Sequence, residues 1–396
     1  MNLIYIGSYC PDDIVERLRQ KGSRVNFASN TLQSALLDGF ISHNRDLKII
    51  TAWSISAYPR LKPMLIKRTK SIYKNLVEVV HVGVLNWPII NFVSKFVRVL
   101  KEIKARLKHN EDNNIIVYEV HSPLLLAVVS LRKKFSKSCL IVPDLPEFMS
   151  GNQGFVHKIL KKIDGCLINW ALKRIDTFAL LSEPMKDKLQ IGNSPWILME
   201  GIYASDNEGS VVEKEELRTI MYTGNIYKRR GVDILLEAFE KIDKPNYRLW
   251  IRGEGEMRDE IIAMSKKDAR IKYFPAMSRV ELLELERRAT VMVNSTPPSD
   301  FTNYFFPSKT MEYLASGTPT IMFKLGCMPE EYAPYVYYVE ENSVECLKNK
   351  LIEICEKPQT ELNEFGLKAR KFILSNKTPY LQCSKIMKLI EGLRDG

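Results

Sequence analysis

The chain has 396 residues, 45% of them hydrophobic and 27% charged, and a net charge of +11. This is the composition of a folded protein of two or three domains, and no run reaches the roughly 18 apolar residues needed to cross a bilayer. Its seven cysteines are scattered without a CxxC pair, which argues for reduced thiols in a cytoplasmic protein and against a disulfide framework or a zinc site.

From the N-terminus, MNLIYIGSYC reads as a core strand, without a basic leader or small-residue cleavage site. LKIITAW, NIIVYEV, SCLIVPD and DTFALLS follow as further strands, separated by segments long enough for helices. Such alternation implies βαβ units and a largely parallel sheet. Within this half, the helix INFVSKFVRVLKEIKARLKH carries Phe92, Phe96, Leu100, Ile103 and Leu107 at three/four spacing. FVHKILKKIDGCLINWALKRI carries Ile159, Leu160, Ile163, Leu167 and Trp170 beside Lys158, Lys161 and Lys162. Each stripe is expected to face the core, with a membrane surface as the alternative. The segment 56–74 packs six cations among aromatic and apolar residues and reads equally as a solvated basic loop, a nucleic-acid surface or a dock for an anionic leaflet.

Charge divides unevenly along the chain. Residues 1–200 hold 29 Lys or Arg against 17 Asp or Glu, and residues 201–396 hold 29 against 30. An acidic partner would therefore meet the first half: an anionic membrane, a lipid diphosphate or nucleic acid. A polar, glycine-containing stretch at 201–217 reads as a linker. Beyond it RTIMYTG, YRLWIRG, RIKYFPA, VMVNS, TPTIMF and YVYYV form a second strand series, again alternating with helices, and PYLQCSKIMKLIEGL reads as a last helix.

Two segments of the second half carry chemistry. In YTGNIYKRRGVDILLEAF a strand ends at Gly224 and a helix starts near Gly231, with Lys228, Arg229 and Arg230 in between. Unpaired N–H groups at a helix start seat phosphate, and an arginine grips a diphosphate through paired hydrogen bonds. In FTNYFFPSKTMEYLASGTPTIMF, Pro307 and Ser308 mark a second helix start, with Ser308 as the expected N-cap, and Glu312 falls one turn in. A carboxylate there can accept both ribose hydroxyls.

Together, in this order and spacing, the two segments resemble those of family 4 retaining glycosyltransferases, in a bacterial polysaccharide subgroup with the pattern FPSK…EYLASG. The resemblance covers Arg218 to Ile354 and extends more weakly over the first half. It implies an α/β protein of the GT-B fold, with two Rossmann-like doubly wound domains facing across a cleft. Residues 1–200 would bind the acceptor, 201–217 would link, 218–377 would bind the nucleotide sugar, and a helix in 378–396 would return to the first domain. Arg230 takes the place of the family's diphosphate-binding lysine and Glu312 that of its ribose ligand. Asn225 stands where an arginine is usual and Tyr304 where a first glutamate is usual, so Lys228, Arg229 or Lys309 is expected to supply the missing cation.

By the same resemblance, His121 would lie near the donor sugar and, with Arg230 and Glu312, would be catalytic. Gly7 and Ser8 would face the diphosphate. Gly224, Asn225, Gly253, Gly255, Met277, Tyr304, Pro307, Ser308, Lys309 and Thr310 would complete the donor site, with Gly253 and Gly255 letting backbone approach the nucleotide. Asp144 and Glu147 are candidates on the acceptor side. The implied reaction moves a sugar from a nucleoside diphosphate sugar, by preference a UDP-sugar, to a hydroxyl of a saccharide or lipid-linked acceptor, with retention, no cofactor and no required metal. The expected setting is the cytoplasm, at the inner face of the membrane through the basic first half, with no nucleic acid. Two other readings stay open: a sugar-nucleotide epimerase of the same fold, and a degenerate scaffold that binds a membrane or polyanion.

Overall fold

The computed structural model describes residues 1–392 apart from 21–25, 45, 57, 60, 62, 89, 110, 146–154 and 205–211. The chain divides into two compact units, Met1–Ile202 with Pro379–Gly396, and Tyr203–Thr378. Each is built on its own parallel sheet.

In the first unit the strands are β1 (Asn2–Gly7), β2 (Lys48–Thr51), β3 (Leu65–Ile66), β4 (Thr69–Tyr73), β5 (Val77–His81), β6 (Val84–Leu85), β7 (Asn113–Tyr118), β8 (Lys137–Val142), β9 (Thr177–Leu180) and β10 (Trp196–Leu198). Its helices are α1 (Asp12–Gln20), α2 (Phe27–His43), α3 (Ile90–Lys104), α4 (Ser122–Val129), α5 (Phe155–Leu172) and the short α6 (Met185–Lys188). The main sheet runs β10-β9-β8-β7-β1-β2-β5-β4. All its neighbours are parallel except β4, which pairs antiparallel with β5. Both β1 and β7 are buried along their whole length, as strands covered on both faces must be, hence their near-continuous apolar runs. The order turns at β1 and β7: the chain builds outward to one side through β2 and β5, then returns to build the other from β7. In such sheets ligands bind beyond the carboxyl ends of the strands at the turning point.

The second unit repeats this plan with β11 (Arg218–Thr223), α7 (Val232–Glu240), β12 (Tyr247–Arg252), α8 (Arg258–Lys267), β13 (Ile271–Phe274), α9 (Arg279–Arg288), β14 (Val291–Asn294), α10 (Ser308–Ser316), β15 (Thr320–Phe323), β16 (Tyr337–Val339), α11 (Val344–Cys355) and α12 (Gln359–Asn376). Its sheet runs β13-β12-β11-β14-β15-β16, all parallel, and turns between β11 and β14. A capping box fixes the start of α9, with Ser278 and Glu281 each bonding the other's backbone N–H. Gly317, at φ +81°, ends α10 in the left-handed conformation that glycine adopts without strain.

Several expectations change on folding. The basic segment is not a plain loop, because it supplies β3 and β4. β3 pairs antiparallel with β6, Leu65 opposite Leu85, and β4 closes the edge of the main sheet with its lysine exposed, which blunts the edge against further pairing. The first predicted stripe is only partly a core face and the second is not one. Of the first, Ile103 is buried, Phe92, Phe96 and Leu100 are half-buried and Leu107 lies half-buried beyond the end of α3, while Ser94, Lys95 and Val99 turn inward. On α5, Ile159, Leu160, Ile163 and Trp170 are all exposed and Ile168, Ala171 and Leu172 are buried instead.

The last helix, α13 (Pro379–Glu391), packs against α2 of the first unit. The contact is close at Gly39, where a Cβ would lie 2.3 Å from the Pro379 carbonyl oxygen and 2.5 Å from Cys383 Sγ. Gly39→Ala should therefore overpack this seam and destabilise the protein by about 1–3 kcal/mol, read as a lower urea midpoint.

Candidate functional site

In the second unit, the loops after β11 and β14 and the start of α10 converge at the turning point of the sheet. β11 ends at Thr223, and Gly224 follows at φ +137°. The Lys309 ammonium, from the first turn of α10, donates to the Thr223 carbonyl. A Cβ at position 224 would lie 1.9 Å from Lys309 Nζ, so glycine suits the backbone angle there and a side chain would push the lysine aside. Desolvation lowers the Lys309 pKa to about 8, opposed by the nearby carboxylates of Glu312 and Glu286 and reinforced by Arg252 and Arg230.

Lys228, Arg229 and Arg230 form a single 3-10 turn, and Gly231 (φ +68°) leads from it into α7. Ser295, just past β14, donates from Oγ to the Arg230 carbonyl at 3.1 Å. A Cβ on Gly231 would lie 1.9 Å from the Ser295 carbonyl oxygen. The Arg230 guanidinium sits over the Phe305 ring, 4.9 Å from its centroid, which ties the first motif to the second. Lys228 and Arg229 are exposed, and Arg229 lies over Tyr227. Asn225 is also exposed, while its carbonyl accepts from the Tyr222 hydroxyl at 2.8 Å.

One sequence expectation is corrected here. Ser308 is not the cap of α10. It is the first helical residue, Pro307 precedes it, and no side chain caps the helix, which leaves the first-turn N–H groups of Ser308 and Lys309 without helical partners. Thr310 is fully buried, its hydroxyl between Asn294 Nδ2 (3.3 Å) and Met322 Sδ (3.8 Å). Gly253 and Gly255 closely approach protein backbone. Their missing Cβ atoms would strike the carbonyl oxygens of Gly224 (1.7 Å) and Ile226 (2.5 Å), so small size there packs the β12–α8 loop onto the β11–α7 loop. Met277 lies half-buried in the β13–α9 loop, two strands from β11, and Tyr304 and Glu312 are half-buried.

Sequence reading missed the support beneath this loop. The Tyr313 hydroxyl donates to the Thr223 carbonyl (2.7 Å) and accepts from the Thr223 amide (3.0 Å). Thr223 Oγ1 donates to Glu286 Oε1 (3.0 Å), and the other Glu286 oxygen is buried without a hydrogen bond. Burial, then Glu312, pushes the Glu286 pKa up to about 7. ELLELERRA reads as an ordinary charged helix, and nothing in its spacing marks Glu286 as an inward-facing acid.

In the first unit, the carboxyl ends of β1 and β7 gather Ser8, Glu119 and His121. Gly7 faces α2: a Cβ would lie 2.4 Å from Gln33 Oε1. That oxygen accepts from the Ser8 amide at 2.8 Å, so the loop amide expected to face a diphosphate is engaged by Gln33. Ser8 Oγ donates to Glu119 Oε2 at 3.4 Å. Glu119 holds φ +75°, an uncommon angle for a residue with a side chain, and such positions cluster at functional sites. Its pKa is raised, first by burial, and Lys95 opposes the rise. Lys95 reaches this region from α3, with its own pKa lowered by burial to about 8. His121 precedes α4 with its pKa lowered to about 3, by burial and then by Lys95, so it is a neutral imidazole at pH 7. A small cavity of about 50 Å³ adjoins Ser8, Gln33, Trp53 and Glu119. Asp144 is half-buried and acts electrostatically on Glu119, whereas Glu147 lies outside the described residues. A far larger cavity, about 960 Å³, is lined by Glu213, Arg218, Arg287 and Arg370. Arg218 begins β11, so this cavity lies at the strands' amino ends, away from where parallel sheets bind ligands.

Residues 205–372 match the family model for glycosyl transferases, group 1. The matched segment contains both candidate phosphate-seating motifs and the Lys309–Thr223 contact. Among curated proteins, none matches the chain by sequence. Solved structures share its fold over nearly the whole length. A sucrose-phosphate synthase from Thermosynechococcus elongatus superimposes with a TM-score of 0.62 at 13% identity, covering 99% of each chain. The apo form of the lipopolysaccharide outer core galactosyltransferase WaaB gives 0.65 at 12% identity, also covering 99% of each. The pneumococcal O-GlcNAc transferase GtfA, solved with UDP and GlcNAc, gives 0.58 at 13% identity and 98% of each. The fold is therefore GT-B, and with the group 1 match it supports a glycosyltransferase.

The state of Glu286 can be tested through stability. Its folded pKa is raised above the unfolded value, so ionising it costs stability as pH rises from the ordinary carboxylate range through about 7. Glu286→Gln should raise Tm relative to wild type at pH 8 and lose that advantage at pH 4, in thermal melts across the range.

Proposed function

We propose that this protein transfers a sugar, with retention, from a nucleoside diphosphate sugar to an acceptor hydroxyl, using the second unit's turning point as the donor site. The observation that carries the reading is the convergence of Lys309, Arg230 and the uncapped start of α10 around Gly224. In the reaction, the bond between the anomeric carbon and the phosphate oxygen breaks, and the acceptor oxygen forms the new glycosidic bond. The acceptor's proton goes to a diphosphate oxygen or to solvent. The diphosphate leaves with added negative charge, and prearranged positive groups at that point are usually the largest catalytic contribution. In this reading Lys309 replaces the family arginine absent at Asn225, and no metal is required. Glu312 holds the ribose, Tyr304 contacts the donor sugar, and His121, neutral, acts as a hydrogen-bonding group rather than a cation.

UDP is the preferred leaving group, and a lipid-linked saccharide of bacterial surface polysaccharide assembly the preferred acceptor, handled at the inner face of the cell membrane. Support for that setting is the basic first half of the chain and the subgroup pattern FPSK…EYLASG. No helix among the described residues is long and apolar enough to cross a membrane.

The reading is tested by thermal unfolding with UDP, GDP, dTDP and ADP. One diphosphate at 100 times its Kd should stabilise the wild type by about 2.7 kcal/mol and should leave Glu312→Ala nearly unmoved. Stabilisation by none of the four, or equal stabilisation of the variant, would reject this donor site. The low Lys309 pKa adds a pH signature. Below about 8 the lysine is charged and attracts the diphosphate; above it the lysine is neutral. Diphosphate affinity should fall as pH rises through 8 and beyond, and Lys309→Met should flatten that fall.

A further inference from the structure

The first half of α3 buries two polar residues and exposes three apolar ones. Its inward face carries Ser94 and Lys95, both buried. Its outward face carries Ile90, Val93 and Val97, which are 48%, 52% and 51% exposed. The three recur at the three/four spacing of one helical face. Polar anchors explain the rotation. Ser94 Oγ accepts from the Leu85 amide at 3.0 Å, which clamps the helix to β6, and Lys95 is held inside near Glu119 and His121. Turning Val93 and Val97 inward would expel both.

The apolar face continues off the helix. Leu85 of β6 and its cross-strand partner Leu65 of β3 are both exposed. Trp87, exposed and stacked on Tyr58 at 5.4 Å, lies in the turn between β6 and α3. This turn is firmly built: Asn86 is fully buried, its side chain donating to the carbonyls of Ser56 and Pro63 and accepting from Asn91. A fixed scaffold thus presents apolar side chains to the outside. In sequence, residues 56–108 contain twelve Lys or Arg, of which Lys95 is buried, against two Glu. Glu102, one of the two, is bonded by Arg68 and Arg106.

We infer that the face formed by β3, β6 and the outer side of α3 docks on an anionic lipid leaflet, its apolar residues entering the acyl boundary and its cations meeting the headgroups. Aliphatic residues beside an amphipathic tryptophan, ringed by cations, match the two layers of such an interface. Each surface cation adds to the attraction. A second copy of this chain would bring the same net-positive surface against itself, so like charge disfavours a symmetric dimer there. The inference rests on and deepens the membrane-face setting proposed above, and it uses none of the donor-site residues, so a failure of vesicle binding leaves the nucleotide test untouched.

The experiment is co-sedimentation of the full chain with vesicles of phosphatidylglycerol and phosphatidylcholine, and of phosphatidylcholine alone. Binding is expected on the anionic vesicles and at least tenfold weaker on the neutral ones. The double variant Val93→Asp/Val97→Asp should lose at least tenfold in anionic-vesicle affinity while keeping the wild-type melting temperature and nucleotide response. Val93→Ser/Val97→Ser, with less disturbance, should show a smaller loss in the same direction. Failure of the wild type to bind anionic vesicles overturns the inference, as does undiminished binding by the folded variants. A wild-type dimer that the aspartates split, without vesicle binding, would assign the face to a second copy instead.

Discussion

A lysine ammonium lies where a side chain at position 224 would have to be. Gly224 and Lys309 are 85 residues apart, yet each makes the other possible: the glycine leaves the space, and the lysine fills it while bonding the Thr223 carbonyl. Because β11 and β14 are neighbours at the turning point of the sheet, the loop after one and the helix that follows the other are bound to meet. Tyr313, one turn beyond Lys309 on α10, holds both backbone groups of Thr223. Glu286 secures the same residue through its hydroxyl. The positive end of the site is thus fixed from below by uncharged hydrogen bonds and by an acid whose pKa burial raises to about 7.

Much of the fold is legible in the sequence because parallel strands buried on both faces must be short apolar runs. LIYIG, NIIVYEV and RTIMYTG cannot be read otherwise once helices separate them. Elements that escape sequence reading are those whose burial is set by neighbours. VEVVH, with a charged residue amid apolar ones, is a strand because β2 offers it an edge. On α3, periodicity alone points Phe92 and Phe96 inward, where they end half-buried, but Ser94 bonds the Leu85 amide and Lys95 is buried beside it. Hydrophobic spacing reports how many faces a helix has, not which one finds a polar anchor.

The candidate site is legible to a different depth. Glycines, prolines and cations at loop and helix boundaries mark YTGNIYKRRG and FFPSKTMEY as candidate phosphate-seating segments because backbone angle and charge are local properties. Their supports are not local. Glu286 sits in a helix of unremarkable composition, and Glu119 adopts a left-handed backbone that no neighbouring residue announces. The small residues Gly253 and Gly255 suggest ligand contact from sequence, whereas their geometry serves loop-on-loop packing. Thr310, close to the motif in sequence, is turned away from it because the first turn of α10 sends successive side chains to different sides.

The central claim is that Lys309 holds the diphosphate in place of a missing arginine. Calorimetric Kd values for the preferred nucleoside diphosphate and for its parent nucleoside, on wild type and Lys309→Met, test it most directly. The account predicts at least a tenfold loss for the diphosphate and little change for the nucleoside, with both variants folded. Equal losses for both ligands, or no loss for either, would contradict it.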